Sequence, residues 1–193
     1  NAGGVNPQAC AEAIRALIKE LNLDLKVAVV LGDDLLEDKD KFLDSGVQEM
    51  YSDEKFPEVD KIASINAYLG AFPIAQALND GADIVITGRS VDSAVTLAAC
   101  IHTYGWKEDD YDKLASGSLA GHIIECGTQS TGGNFTDWEL VSKNLHMIGY
   151  PIVDVSENGG FICTKSNNTS GLVSFGTVAE QMLYEIGDPQ AYI

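Results

Sequence analysis

Two short polar stretches, each placed directly after an apolar run, contain residue types that could bind an anion. Gly32-Asp33-Asp34 follows LKVAVVL, and Thr87-Gly88-Arg89-Ser90 follows ADIVI. If the two runs are neighbouring parallel strands, both stretches lie at the same sheet edge, where open α/β folds bind their ligands. The planar guanidinium of Arg89 could then bind a carboxylate or a phosphate, while Ser90 and the amides of a following helix would add donors.

The carboxylates near these turns have two open interpretations. In the functional one, Asp33, Asp34 or Asp92 positions the bound anion or carries a proton. In the structural one, Asp33 or Asp34 pairs with Arg89, and Asp92 or Ser90 caps the following helix. Residue types and spacing do not decide between them, so both are kept as hypotheses.

A second cluster lies in GSLAGHIIECGTQSTGG, residues 117–133. His122 and Glu125 have helical i, i+3 spacing, so a helix places them on one face, and a carboxylate that orients an imidazole suits acid–base catalysis. Gln129, Thr131 and paired glycines make the following loop polar and flexible. One histidine and one glutamate are too few ligands for a zinc site, and we predict no metal. The alternative is a hydrogen-bonded histidine with a structural role.

A third cluster is the glycine-rich turn Asn1-Ala2-Gly3-Gly4-Val5-Asn6, which leads into a helix. Such a turn can bind an anion through its backbone N–H groups, and Asn6 is the candidate contact there. Glycine-rich turns before helices also occur without ligands, so this turn by itself decides nothing.

Periodicity and capping residues predict the elements that position these clusters. They predict a helix from Asn6-Pro7 to about Leu21, a short helix near Lys39–Asp44 and a helix from about Gly70–Phe72 to Asn79. A further helix is predicted from about Val91 to Tyr104, with a stop at Gly105. Another begins near Asp110 and is broken at Ser116-Gly117. Apolar runs predict strands over residues 25–31 and around Val85 and Ile86.

The C-terminal third has different signals. YPIVDV and GFICTK flank a turn at residues 156–160 and predict a β-hairpin. Thr177-Val178-Ala179-Glu180 has the pattern of a capping box, which predicts a helix through Glu185 that Gly187-Asp188-Pro189 closes. Together with the alternation of helices and strands before it, this predicts an α/β layered fold: a mostly parallel sheet flanked by helices, with the hairpin added. We expect one domain over residues 1–193.

Composition narrows the classes of partner. The chain has 12 Lys and Arg against 29 Asp and Glu, a formal charge of −17, which disfavours nucleic acid and anionic membranes as partners. No apolar run has the length of a membrane helix. Four scattered cysteines without a C-x-x-C pair favour reduced thiols and a cytoplasmic location. Acceptor patterns for N-glycosylation at Asn134, Asn167 and Asn168 favour a secreted protein instead, but such patterns are frequent by chance.

Several strings carry a resemblance to one family. The chain resembles the acyclic terpene utilisation protein A family in the following strings, which occur there in the same order: NAGGVNPQACAEAI, KVAVVLGDDLL, NAYLGAFPIAQALNDGADIVITGR, DSAV, AGHIIECGTQSTGGNF and GLVSFGTVAEQMLYEIGDPQAY. The resemblance implies that the chain is an internal part of a longer domain, whose preceding segment carries a glycine-rich turn of its own. It also implies a setting in the breakdown of acyclic terpenes through CoA thioesters, near acyl-CoA carboxylases.

The shared strings coincide with the three clusters and add Asn66 to the first. They give a substrate-binding set and a catalytic set: Asn6, Gly32, Asp33, Asp34, Asn66, Gly88, Arg89, Ser90, Gln129 and Thr131 for binding, and His122, Glu125 and Asp92 for proton transfer. One hypothesis is therefore a catabolic enzyme that acts on an acyl-CoA or branched carboxylate. The other is a non-catalytic accessory or scaffold subunit of an acyl-CoA carboxylase-type assembly. The partners that we expect are a small anionic molecule, such as a CoA thioester, and either a carboxylase or further copies of this chain. Neither hypothesis names a cofactor.

Overall fold

Ten helices and strands of regular geometry are found in the computed structural model, which describes residues 5–184 and residue 186. The chain divides into two units, Asn1–Val91 and Asp92–Ile193. The first unit contains α1 (Pro7–Glu20), β1 (Val27–Val30), α2 (Lys39–Ser45), α3 (Ala71–Asn79) and β2 (Ile84–Thr87). The second contains α4 (Ala94–Tyr104), α5 (Tyr111–Glu125), β3 (Pro151–Val155), β4 (Phe161–Lys165) and α6 (Phe175–Leu183).

Three predicted features lie outside the described residues. These are the glycine-rich turn at Asn1–Gly4, the helix end at Glu185 and the closing turn Gly187-Asp188-Pro189. The expectation of one domain over residues 1–193 stays a prediction. No helix among the described residues is long and apolar enough to cross a membrane.

Helix α1 begins where its capping residues predict. The Asn6 side chain accepts a hydrogen bond from the N–H of Ala9 at 3.0 Å, and Pro7 occupies the first helical position. In the second half of the helix, Nη2 of Arg15 donates to the carbonyl of Val27 at 2.9 Å. This bond ties the helix to the strand that follows it.

Strands β1 and β2 are parallel neighbours, in register from Val27 opposite Ile84 to Val30 opposite Thr87. Helix α3 lies between the two strands in the chain, shortly before β2, and its Ile74 and Ala75 are buried. The β-branched residues of both strands fit a pleated surface that is covered by helices. Because the strands are parallel, the polar turns that follow them come out at one edge of the sheet.

The predicted layered sheet is only partly found. Among the described residues, β1 and β2 form one two-stranded sheet, and β3 and β4 form a second, antiparallel one. The fold is mixed α/β, with no broad parallel sheet in the part of the chain described. The long connection after β1 contributes isolated bridges, such as Asp34 with Asn66, rather than a strand.

Helix α5 is continuous, so the predicted break at Ser116-Gly117 is wrong. A Cβ on Gly117 would lie 2.8 Å from Cδ1 of Leu97 and 2.9 Å from Cζ3 of Trp106. A Cβ on Gly121 would lie 2.8 Å from the carbonyl oxygen of Ser93. Both glycines therefore allow close packing against neighbouring segments, which outweighs their weak helix propensity.

The predicted hairpin is confirmed, and three side chains hold its turn. The Tyr104 hydroxyl donates to the Val155 carbonyl at 2.5 Å, Nε1 of Trp106 donates to the Glu157 carbonyl at 2.9 Å, and the Ser116 hydroxyl donates to the Gly159 carbonyl at 2.5 Å. The rings of Tyr104 and Trp106 stack with their centroids 5.7 Å apart. The end of α4 and the middle of α5 therefore fix the hairpin in place.

Helix α6 has a capping box, but three residues earlier than predicted. The Ser174 hydroxyl accepts from the N–H of Thr177 at 3.2 Å, and the Thr177 hydroxyl accepts from the N–H of Ser174 at 3.0 Å. The sequence pattern favoured Thr177 as the cap because Glu180 follows it at the usual spacing. Glu180 instead accepts a hydrogen bond from the N–H of Thr136 at 2.9 Å.

Candidate functional site

A cavity of about 660 Å³ lies in the first unit, at the end of β1 and beside the turn after β2. Its volume is typical of small-molecule sites. The residues that line it include five members of the predicted binding set: Gly32, Asp33, Asp34, Asn66 and Arg89. The first two residues of α1, Pro7 and Gln8, also line it.

Asp33 is the structural centre of this site. It is only 4% exposed, and its Oδ2 accepts hydrogen bonds from the N–H of Arg89 at 2.7 Å and from Nδ2 of Asn66 at 3.0 Å. Its carbonyl accepts from the N–H of Ala67 at 2.8 Å. One residue therefore joins the turn after β1, the turn after β2 and the segment around Asn66.

Gly88 leaves the space that the Asp33 carboxylate fills. A Cβ at Gly88 would lie 1.8 Å from Oδ1, 2.2 Å from Cγ and 2.6 Å from Oδ2 of Asp33. No side chain fits at that distance, so the glycine in the turn after β2 is a condition for the buried carboxylate. Gly32 has a different role, because its φ of +118° lies in the region that favours glycine.

Arg89 is oriented by both its main chain and its side chain. Its N–H binds Asp33, and its carbonyl accepts from the N–H of Leu69 at 3.0 Å. The guanidinium carbon lies 4.3 Å from the centroid of the Tyr68 ring, which is a cation–π distance. A cation–π contact with the ring restrains where the guanidinium lies.

Asp34 differs from Asp33 in exposure and in the bonds it makes. Its side chain is exposed, it lines the cavity, and its Oδ1 accepts from the N–H of Leu36 at 3.0 Å. The Asp33 carboxylate is committed to holding the site together, so it is poorly placed to exchange a proton. Of the two carboxylates, Asp34 is the one that a ligand can reach.

Other members of the predicted set support this part of the chain from outside the cavity lining. Asn6 caps α1, directly before the two α1 residues that line the cavity. Ser90 is fully buried, and its hydroxyl has no hydrogen-bond partner among the described residues. The N-cap position of α4 is Ser93, so the expectation that Asp92 or Ser90 occupies it is wrong.

His122 and Glu125 lie in the second unit, where each has another partner. Nε2 of His122 is 3.1 Å from the carbonyl oxygens of both Gln181 and Met182. Because carbonyls only accept, this nitrogen carries a proton and donates it, which leaves Nδ1 as the ring nitrogen that could act as a base. Oε1 of Glu125 accepts from the Cys126 thiol at 2.8 Å.

This arrangement fastens two helices together. Nε2 of Gln181 donates to the His122 carbonyl at 3.0 Å, so α5 and α6 exchange hydrogen bonds in both directions. The geometry is that of the structural alternative for His122. A catalytic role for His122, Glu125 or Asp92 stays a prediction.

Gln129 and Thr131 also lie in the second unit and serve local hydrogen bonds. Oε1 of Gln129 accepts from Nδ2 of Asn134 at 3.4 Å, and the fully buried Thr131 hydroxyl lies 2.6 Å from the carbonyl of Gly149. Their role in binding a substrate stays a prediction. Among the described residues, no three His, Cys, Asp or Glu side chains are grouped so that they could hold a metal ion.

Sequence reasoning missed Tyr68, which lines the cavity and makes the cation–π contact with the Arg89 guanidinium. A signal was present in the string NAYLG, where Asn66 and Tyr68 are two residues apart. In an extended segment such residues face the same side, so the prediction of Asn66 at the site implied Tyr68 as well.

The comparisons with known proteins give one positive result. The family model described as Acyclic terpene utilisation family protein AtuA matches residues 1–193. Neither the curated proteins nor the solved structures give a match. The match covers every segment that builds the cavity, and it agrees with the resemblance carried by the sequence strings. The chain belongs to the acyclic terpene utilisation family AtuA.

Proposed function

We propose that the protein is a cytoplasmic catabolic enzyme of acyclic terpene utilisation, and that the cavity of its first unit binds an anionic acyl intermediate, either a branched carboxylic acid or its CoA thioester. Family membership supports the pathway. The observation that carries the proposal is the cavity itself, which brings Gly32, Asp33, Asp34, Asn66 and Arg89 together at one end of the sheet.

Each cavity residue has a distinct task in this proposal. Arg89 binds the anionic group of the ligand, in an orientation set by Tyr68 and by the bond from its N–H to Asp33. Asp33 and Asn66 are positioning residues. Asp34, which is exposed to the cavity, exchanges a proton with the bound intermediate as a general acid or base. Asp92, His122 and Glu125 stay outside this mechanism.

A thermal-shift screen of the chain against branched acids and acyl-CoA thioesters tests the proposal. A ligand that binds only the native state adds about 2.7 kcal/mol of stability at a hundredfold excess over its dissociation constant. We expect a shift with at least one compound for the wild-type chain and for Arg15→Ala, and a clearly smaller shift for Arg89→Ala. Arg15→Ala is the matched control, because it removes the same charge from the same unit at a guanidinium that donates to the Val27 carbonyl.

Two results would contradict the proposal. One is the absence of a shift with every acid and thioester at millimolar concentration. The other is an equal loss of the shift in Arg89→Ala and Arg15→Ala, which would assign the effect to net charge rather than to the cavity.

A second candidate function is that of a non-catalytic accessory subunit of a carboxylase-type assembly, whose partner is a carboxylase or further copies of this chain. Exposed apolar side chains of the second unit favour it: Phe175 is 92% exposed, and Trp138, Leu140 and Tyr150 are between 60% and 75% exposed. Such side chains are frequent at protein interfaces. Light scattering of the purified chain, with Phe175→Ser as the variant, tests this candidate. A monomeric wild-type chain that retains no carboxylase subunit on an affinity column would contradict it.

A further inference from the structure

The cavity of the first unit has apolar side chains that are exposed to solvent. Leu31 is 47% exposed and Tyr68 is 58% exposed, and both line the cavity together with Leu36. Apolar surface inside a cavity indicates a ligand with an apolar part that covers it. The wall therefore fits a hydrocarbon chain next to the polar group that Arg89 binds.

The charges around the cavity limit how many anionic groups the ligand can have. Arg89 is the one cationic side chain among the described residues that line it, whereas Asp33 and Asp34 contribute two carboxylates. The chain as a whole carries a formal charge of −17. A single guanidinium can bind one carboxylate through two parallel hydrogen bonds. It cannot also neutralise the several phosphate charges of CoA, and the two carboxylates would repel them.

We infer that the ligand of this cavity is a branched monocarboxylic acid with one anionic group at Arg89 and its hydrocarbon chain along Leu31 and Leu36, rather than a CoA thioester. This inference rests on the proposed function and chooses between its two ligand classes. It follows from the pairing of an exposed apolar wall with a single cation. Tyr68 belongs both to the anion-binding end and to the apolar wall of the cavity, since its ring lies under the guanidinium and also lines the cavity.

Isothermal titration with three probes of equal chain length tests the inference: dimethyloctanoic acid, dimethyloctanol and dimethyloctanoyl-CoA. We expect the acid to bind and Arg89→Ala to weaken it by about 10- to 100-fold, as the loss of a charge-assisted bidentate pair implies. We expect the alcohol to bind at least about 10-fold more weakly than the acid for the same reason. We expect the thioester to bind more weakly than the acid.

A matched pair of variants tests the position of the chain. Leu31→Asp places a further carboxylate in the cavity wall, whereas Leu17→Asp places one on α1 at a side chain of similar exposure, 52% against 47%. We expect Leu31→Asp to abolish measurable binding of the acid and Leu17→Asp to leave it within about twofold, because surface charges are screened by salt.

The outcomes separate the inference from the function on which it rests. A thioester that binds more tightly than the acid would overturn the inference and leave the proposed function standing. Equal binding of acid and alcohol, or equal effects of the two aspartate variants, would also overturn the inference. Binding of none of the three probes would overturn the proposed function together with it.

Discussion

The contact between Gly88 and Asp33 gives the sharpest prediction for the stability of the site. In Gly88→Ala the new Cβ would lie 1.8 Å from Oδ1 and 2.2 Å from Cγ of Asp33. Real atoms do not approach so closely, so the carboxylate has to leave its position. It then loses the hydrogen bonds from the Arg89 N–H and from Asn66, which are 2.7 and 3.0 Å long.

The size of the effect follows from those two bonds. Hydrogen bonds to a charged group contribute about 1.5–3 kcal/mol each. Because Asp33 is only 4% exposed, water cannot reach its carboxylate to replace the two bonds. Partial rearrangement of the turn recovers part of the loss. We therefore expect Gly88→Ala to lower the free energy of unfolding of the first unit by about 3 kcal/mol.

Amide hydrogen exchange of peptides that cover β1 and β2 is the suitable assay. Trp106 and Trp138, the two tryptophans of the chain, belong to the second unit, so tryptophan fluorescence would report on the wrong part. Gly70→Ala is the control, since a Cβ there has no heavy atom within 4 Å from any described residue other than its two chain neighbours. We expect this control to cost less than about 1 kcal/mol.

A double-mutant cycle isolates the cause. The three atoms nearest to the new Cβ all belong to the Asp33 carboxylate. In an Asp33→Ala background, Gly88→Ala should therefore add less than about 1 kcal/mol to the cost of the first substitution. Costs that add in full, or a Gly88→Ala chain as protected from exchange as wild type, would show that the contact with Asp33 does not limit this position.

Three further predictions concern the second unit. Trp106→Phe removes the bond to the Glu157 carbonyl and should cost about 1–3 kcal/mol, seen as faster hydrogen exchange in β3 and β4; unchanged exchange would contradict it. His122→Ala removes the hydrogen bonds to the last carbonyls of α6, so it should lower the free energy of unfolding by about 1 kcal/mol in urea unfolding followed by tryptophan fluorescence. Binding of the acid in the first unit should stay unchanged. Loss of that binding would show that His122 takes part in the site. Burial raises the pKa of the Cys100 thiol, so iodoacetamide should modify Cys100 more slowly than it modifies glutathione at neutral pH, and an equal rate would contradict this.

Local signals made much of the fold predictable from the sequence. The Asn6 cap with Pro7 set the start of α1, and the apolar runs followed by polar turns set β1 and β2. These signals act within a few residues, so they can be read without knowledge of tertiary contacts. The association of Asp33 with the turn that contains Gly88 and Arg89 followed from one further step, the parallel pairing of the strands.

What the sequence could not predict depends on contacts between distant segments. The continuous course of α5 depends on Leu97, Trp106 and Ser93, which pack against its glycines. His122 shares a helix face with Glu125, but its hydrogen bonds run to α6, about sixty residues further along the chain. Spacing along one helix gives no information about such a neighbour. The sequence therefore suggested an acid–base pair of His122 and Glu125 and gave no sign of the hydrogen bonds to α6.

The proposed function depends most directly on Arg89, which holds the anionic group of a ligand in the cavity of the first unit. Arg15 and Arg89 are the arginines of the chain, so arginine labelled with nitrogen-15 gives one Nε–H signal for each, and Arg15→Lys assigns them. Titration with dimethyloctanoic acid should move the Arg89 signal to saturation and leave the Arg15 signal in place. An Arg89 signal that does not move, or two signals that move together, would rule out Arg89 as the group that binds the anion.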